Sequence, residues 1–277
     1  MSEKSTGLSH GAFLPKEPKS FFKRLSSKVR PSRRTFLLAL LAMIVCTKTV
    51  LQLAASDSDG PAGLLGQLKD IPSATLSDAV DEVVGRRGFM SYDMRPVSLK
   101  TKMAGRAKTA LFGPSGEKIK TKNTGPVSAV QIIDESGPGE ILVVVTGDLN
   151  VTGLGGLMAT TAKVRGMEGV VVDGAVRDAD EIEALGLSMF SRSISPATML
   201  GRFASLARDV LVICGGVTVS PGDYIVGDRD VVVCIPAGQV DAVLERALQM
   251  EAAEKKMVPM IYKIKSLQKV VEMFKRI

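Results

Sequence analysis

The sequence predicts an α/β domain, and three observations carry the prediction. From about residue 70, stretches of helical and strand periodicity alternate. Two of the strand stretches, EILVVV from Glu140 and GVVVDGAV from Gly169, are near-continuous apolar runs, as in strands buried on both faces. Strand signals then cluster late in the chain, which points to a sandwich or barrel-like layer and not a helix bundle.

The elements follow in order. Residues 1–34 are polar, basic and turn-rich and read as a disordered leader. SRRTFLL (Ser32 to Leu38) places two arginines before a short apolar run, resembling a twin-arginine export signal. The uninterrupted run, Phe36 to Cys46, is too short for ~30 Å of hydrocarbon at ~1.5 Å per residue. Extension to Ala55 reaches a spanning length but takes in Lys48 and Gln52, which favours a signal segment over an anchor. The expectation is export, or anchoring at residues 35–55 in an inner membrane with the domain facing the periplasm. A mitochondrial leader is the alternative, and a buried helix is the plain structural one. Residues 56–69 read as a linker.

TLSDAVDEVVG (Thr75–Gly85) sets Leu76, Ala79, Val80, Val83 and Val84 at helical spacing, with Gly85 as a stop. KMAGRAKTALFG reads as a strand, PVSAVQIIDESG as a short helix and EILVVVTGD as a buried strand. GLMATTAKVRGM is a helix, GVVVDGAV a strand and DADEIEALG a helix. MFSRSI, DVLVICGGVTV and DYIVGDRDVVVCIP are strands, and GQVDAVLERALQMEAAEKK is a long helix. The domain is expected to fill residues 70–257. In the tail, 258–277, Ile261, Ile264, Leu267, Val271 and Phe274 share one face of an amphipathic helix, with lysines opposite. That face would pack on its own domain or a sister subunit, or lie on a membrane.

Charge excludes one class of partner. The chain carries +7, and residues 1–34 hold all of it, with nine Lys/Arg against two acids. The remainder balances, at 27 of each sign. With no Trp and 4% aromatics, no stacking platform for nucleic acid is expected. The sole histidine, His10, lies in the leader, so the domain has no His-based triad or zinc site. A metal there would take oxygen ligands, which suits Mg²⁺ or Mn²⁺. Cys46, Cys214 and Cys234 match no zinc or redox spacing, and the latter two read as small buried hydrophobes.

The chemistry concentrates in GLGGLMATTAKVRGMEGVVVDGAVRD, from Gly153 to Asp178. The strand GVVVDGAV ends at Arg177-Asp178, and charged residues at the C-terminal end of a strand commonly line α/β sites. Gly153, Gly155 and Gly156 precede a helix whose bare amides and dipole favour a carboxylate. Arg177 can grip a carboxylate with both arms of its guanidinium, and Asp178 can hold a hard cation. The plainer reading is a helix start with ordinary cap chemistry and glycines that only turn.

TLSDAVDEVVG, MAGRAKT, PGEILVVV, GGLMATTAKVRGMEGVVVDGAVRD and GGVTVSPGDYIVGD, in that order, resemble the RraA-like family. That family includes 4-hydroxy-4-methyl-2-oxoglutarate aldolases that also decarboxylate oxaloacetate. The resemblance implies a swivelling β/α/β sandwich-type domain, assembled as trimers or hexamers with sites between subunits. By position, Arg177 would bind substrate carboxylate and Asp178 would be the metal ligand, both in catalysis. Gly155, Gly156, Leu157 and Met158 would form the substrate loop. Glu251 or Glu254 would approach a neighbouring subunit's site. The implied activity is a Mg²⁺- or Mn²⁺-dependent carbon–carbon lyase on a small 2-oxo (di)carboxylic acid. The alternative is a catalytically weak binding or regulatory protein, as RraA is toward a ribonuclease.

Two departures stand out. The aldolases carry an acid with twenty residues between it and the arginine, where this chain has Gly156. An acid there would hold waters around the metal, so Gly156→Asp is expected to tighten metal binding. The second departure is DRDVVV (Asp228–Val233), where the family usually has a glycine after the second acid.

Overall fold

Buried β-branched runs organise the fold. The computed structural model describes residues 61–115 and 129–275. The predicted leader and hydrophobic segment, with His10, Arg33, Arg34 and Cys46, lie outside the described residues. Among the described residues, no helix is long and apolar enough to cross a membrane.

In chain order, the helices α1 (Pro61–Asp70) and α2 (Ser73–Val84) lead into β1 (Arg95–Pro96) and β2 (Met103–Pro114). Then come α3 (Ala129–Asp134), β3 (Glu140–Val145), β4 (Thr152–Leu154), α4 (Gly156–Val164), β5 (Gly169–Val176), α5 (Ala179–Leu185) and β6 (Met189–Ile194). The last part holds β7 (Phe203–Arg208), β8 (Val212–Cys214), β9 (Val217–Val219), β10 (Tyr224–Gly227), β11 (Val232–Ile235), α6 (Val240–Ile264) and α7 (Leu267–Phe274).

The main sheet runs β1-β6-β5-β3-β2-β10-β11, with β4 joined to β5 and β7 to β2. Its centre, β6-β5-β3-β2, is parallel, and the flanking pairs are antiparallel. Every residue of β5 is buried, because both faces of the strand are covered. On one face, Leu142, Val144, Val170, Val172 and Val176 pack with Ala159, Ala162 and Ile182 of α4 and α5. On the other, Ile141, Val143 and Val171 meet Met90, Met94 and the β8–β9 hairpin. A third cluster seats α1, α2 and α6 against Ala104, Val226 and Val233. The mixed α/β class is therefore as expected.

Several local readings change. A helix occupies Pro61–Asp70 inside the expected linker. Its glycines suggest a loop, but Leu64, Leu65 and Leu68 line one face, and Leu68 is fully buried. DVLVICGGVTV is a hairpin and not one strand. Gly215 and Gly216 both adopt positive φ, which is the two-residue turn whose twist matches paired strands. DYIVGDRDVVVCIP also folds back, pairing Gly227 with Val232. Asp228 in that turn accepts hydrogen bonds from the Ser73 amide at 2.9 Å and from the Asp230 amide at 2.9 Å, tying α2 to the turn. α6 continues through Pro259 past the expected boundary at 257, and ends where Lys265 turns left-handed. Ser266 then caps α7. The break rotates the tail, so Val270 is buried and Leu267 exposed, the reverse of one unbroken helical face.

Candidate functional site

The short strand β4 builds the site. It pairs in parallel with the end of β5, setting Thr152 against Ala175 and Leu154 against Val176. The Arg177 amide then donates to the Leu154 carbonyl at 3.2 Å. This register brings the start of α4 beside the start of α5, so Gly155 and Gly156 abut Arg177 and Asp178.

Asp178 has φ 60° and ψ 41°, the left-handed conformation that Asp tolerates better than most residues. The twist turns its carboxylate away from its own helix α5 and toward α4. There Oδ2 accepts the Gly156 amide at 2.8 Å and lies 3.4 Å from Arg177 Nε. Gly155 is glycine for want of space, since a Cβ on it would sit 2.9 Å from both Arg177 Nε and Asp178 Oδ2. The two charged side chains remain 43% and 36% exposed. An ion pair that open to water is worth about 1 kcal/mol or less, so the fold does not depend on it.

A cleft of ≈ 320 Å³ opens here, lined by Arg177, Asp178, Ile194, Ser195 and Pro196. That volume suits a small ligand. A larger cleft, ≈ 480 Å³, lies by α1 and the start of β2. Its one cation, Lys69, is already paired with Glu168 at 3.0 Å, so the Arg177 cleft has the better chemistry.

In the structure Arg177, Asp178, Gly155 and Gly156 lie together at one corner. Leu157 is exposed, while Met158 packs partly into the core. The Gly156 amide is engaged by Asp178. The bare donors left at the helix start are therefore the amides of Leu157 and Met158, which have no acceptor within their own helix. Glu251 is not in this cleft. It accepts from Thr75 Oγ1 at 2.9 Å, on the α2–α6 face. Glu254 is exposed on the same helix.

The expected gain from Gly156→Asp requires Glu181 to move. A Cβ on Gly156 would overlap Glu181 Oε2 and lie 3.4 Å from Asp178 Oδ2. The obstacle is another carboxylate, not backbone conformation, since Gly156 is helical. Glu181 was not singled out in the sequence, because only the α4–α5 packing places it there.

Among the described residues, no group of three or more His, Cys, Asp or Glu side chains could hold a metal. Asp178 and Glu181 supply two carboxylates at one corner, which suits a hard cation that keeps most of its water. Burial pushes the Cys214 and Cys234 thiols upward, so neither is a nucleophile at neutral pH.

The profile of the RraA-like family, described as Aldolase/RraA, matches residues 73–234. The chain belongs to this family. A Halalkalibacterium halodurans protein, provisionally named a 4-hydroxy-4-methyl-2-oxoglutarate aldolase, is 30% identical over 200 residues, covering 70% of this chain and 87% of that protein. A Deinococcus radiodurans protein of the same provisional name is 30% identical over 161 residues, covering 58% of this chain and 91% of its own length. Among solved structures, Streptomyces coelicolor RraAS2, described as an unusual member of the RNase ES inhibitor RraA family, superposes with TM-score 0.65 at 29% identity. That match covers 72% of this RraA-like chain and 98% of RraAS2.

Proposed function

We propose that this chain is a divalent-cation-dependent carbon–carbon lyase acting on a small 2-oxo (di)carboxylic acid. The observation that carries the reading is that Arg177 and Asp178 line one solvent-open cleft, with the Asp178 carboxylate joined to the first amide of α4. Arg177 would clamp a substrate carboxylate, and its planar fork would fix the orientation. The Leu157 and Met158 amides would receive a second anionic group at the positive end of α4. Asp178 would hold the cation, with its carboxylate oriented by the Gly156 amide. A Mg²⁺ or Mn²⁺ ion held there would supply positive charge to stabilise an enolate of the 2-oxo acid. The provisional aldolase names of two relatives support the same chemistry.

The test is turnover of oxaloacetate and related 2-oxo acids by the full chain, with Mg²⁺, with Mn²⁺ and with a chelator. Cation-dependent loss of substrate is the expected result, and absence of turnover under all three conditions would sink the reading. One observation favours a second reading, a catalytically weak binding or regulatory protein: the Asp178 carboxylate already caps a helix.

The swivelling-type assembly as a trimer or hexamer, with Glu251 or Glu254 meeting a neighbour's cleft, belongs to the same proposal. Sedimentation of the full chain tests it, and a monomer at micromolar concentration would contradict it. Export through Arg33-Arg34 is also proposed. Replacing both with Lys should hold the protein in the cytoplasm, and unchanged fractionation would refute the signal.

A further inference from the structure

The core clusters reach along α6 only to Met250. Beyond it, Met257 and Val270 are the only buried apolar side chains among the described residues. The chain breaks at Lys265, and α7 packs on the end of α6. Four apolar side chains of this corner stay open to solvent: Tyr262 at 81%, Met273 at 58%, Leu267 at 53% and Val258 at 49%. Val258 and Tyr262, four residues apart, share one face of α6, and Lys255 lies three residues before Val258 on the same face. Lys255, Lys256, Lys263, Lys265, Lys269 and Lys275 are all exposed. Among the described residues none of the six is in an ion pair. Glu272 is the single acid in the same span, so the corner carries an excess of positive charge around open apolar groups.

A protein surface is the poorer match for such a face. Protein interfaces are depleted in lysine. A second copy also offers little countercharge, since residues 35–250 hold 20 Lys/Arg against 24 acids spread over the whole domain. A bilayer with anionic headgroups matches both features. Lysine heads meet the headgroups while their stems, Tyr262 and the aliphatic side chains lie at the apolar boundary.

We propose that the end of α6 and α7 form a peripheral docking surface for an anionic phospholipid bilayer. The tail lies on the bilayer and does not cross it, since no described helix is long and apolar enough to span. The proposal is independent of the lyase reading, because it uses no residue that lines the Arg177 cleft.

The chain has no Trp, so Tyr262→Trp gives the full chain one emitter, placed in the tail. Its emission is followed on adding vesicles of phosphatidylcholine alone, or of phosphatidylcholine and phosphatidylglycerol in equal parts. The mixed vesicles should shift emission to the blue, brominated acyl chains should quench it, and phosphatidylcholine alone should do neither. Salt at about 1 M cuts the screening length to about 3 Å and should reverse the shift. Changing Lys255, Lys256, Lys263 and Lys269 together to Gln should weaken binding about a hundredfold or more, with an unchanged melt because all four are exposed. Leu267→Trp is a second reporter on α7, should Tyr262→Trp disturb the fold, and should respond alike. Emission that ignores the mixed vesicles, or shifts equally with phosphatidylcholine alone, would overturn the proposal, as would undiminished binding by the lysine variant. Emission already blue without vesicles and dependent on protein concentration would assign the face to a second copy instead.

Discussion

Two Arg–Asp sets hang from the same strand, β5, and they do opposite work. At its end, Arg177 and Asp178 stand 43% and 36% exposed. In its middle, Asp173 is 9% exposed and meets Arg192 of β6 at 3.0 Å. Arg192 reaches on to Asp93 at 2.8 Å, and Asp173 also accepts the Gly215 amide at 2.7 Å. Hydrogen bonds from Arg192 hold the Asp93 carboxyl below its ordinary value, with Ser91 adding to the effect. Those to Asp93 and Asp173 push the Arg192 guanidinium further up. The inner set joins the β1 region, β5, β6 and the β8–β9 hairpin, so it is architecture. The outer set joins two helix starts and opens to solvent, and the proposed lyase reading places the ligand there.

Variants at the two sets should separate these roles. The largest effect belongs to Arg192→Met, which leaves Asp173 and Asp93 facing each other without a cation. Breaking a buried pair from one side typically costs about 3–5 kcal/mol, and partial exposure puts this one near about 3 kcal/mol. For a domain of this size, that lowers Tm by roughly 6–12 °C. A shift below about 2 °C in a thermal melt would remove the inner set from the architecture.

Arg177→Ala should do the reverse. Loss of one charge-assisted contact lowers kcat/KM about ten- to a hundredfold, while the exposed ion pair contributes about 1 kcal/mol or less to Tm. Steady-state kinetics beside a melt checks it, and a Tm loss rivalling Arg192→Met would erase the contrast. Gly155→Ala is milder. Its Cβ pushes Arg177 and Asp178 by a few tenths of an ångström, so turnover should fall about tenfold with little change in Tm. Full activity would show that the corner tolerates displacement.

The smallest effect is in acid. The Asp93 value is lowered in the folded state, so its contribution is complete above the unfolded value near 3.8 and is lost as pH falls below it. Asp93→Asn should therefore melt lower at pH 7 and show a shallower Tm decline between pH 5 and 3. Parallel curves for the two proteins would assign the acid sensitivity elsewhere.

The two sets also differ in how far the sequence reveals them. Arg177-Asp178 is adjacent in sequence, ends an apolar run and follows a glycine cluster, so its chemistry reads directly. Asp173 is embedded in GVVVDGAV, and its partners lie 19 and 42 residues away, so only strand register brings them together. Glu181 is hidden likewise, because helix packing and not spacing sets it beside Gly156. EILVVV and GVVVDGAV were legible as strands since burial on both faces leaves one apolar pattern. PAGLLGQLKD was not legible as a helix. Its glycines mask three leucines whose burial comes from tertiary contact. VICGGVTV hid a turn inside an apolar run, because Gly215-Gly216 supplies the positive φ that no periodicity signals.

The most direct test of the contrast is Asp178→Asn in the full chain, with oxaloacetate decarboxylation and Tm measured at saturating Mg²⁺. Asparagine accepts the left-handed backbone and can still receive the Gly156 amide, so the fold is retained and only the charge is lost. The account predicts a fall of about a hundredfold or more in kcat/KM with Tm unchanged. Undiminished turnover, or a Tm loss matching that of Arg192→Met, would contradict it.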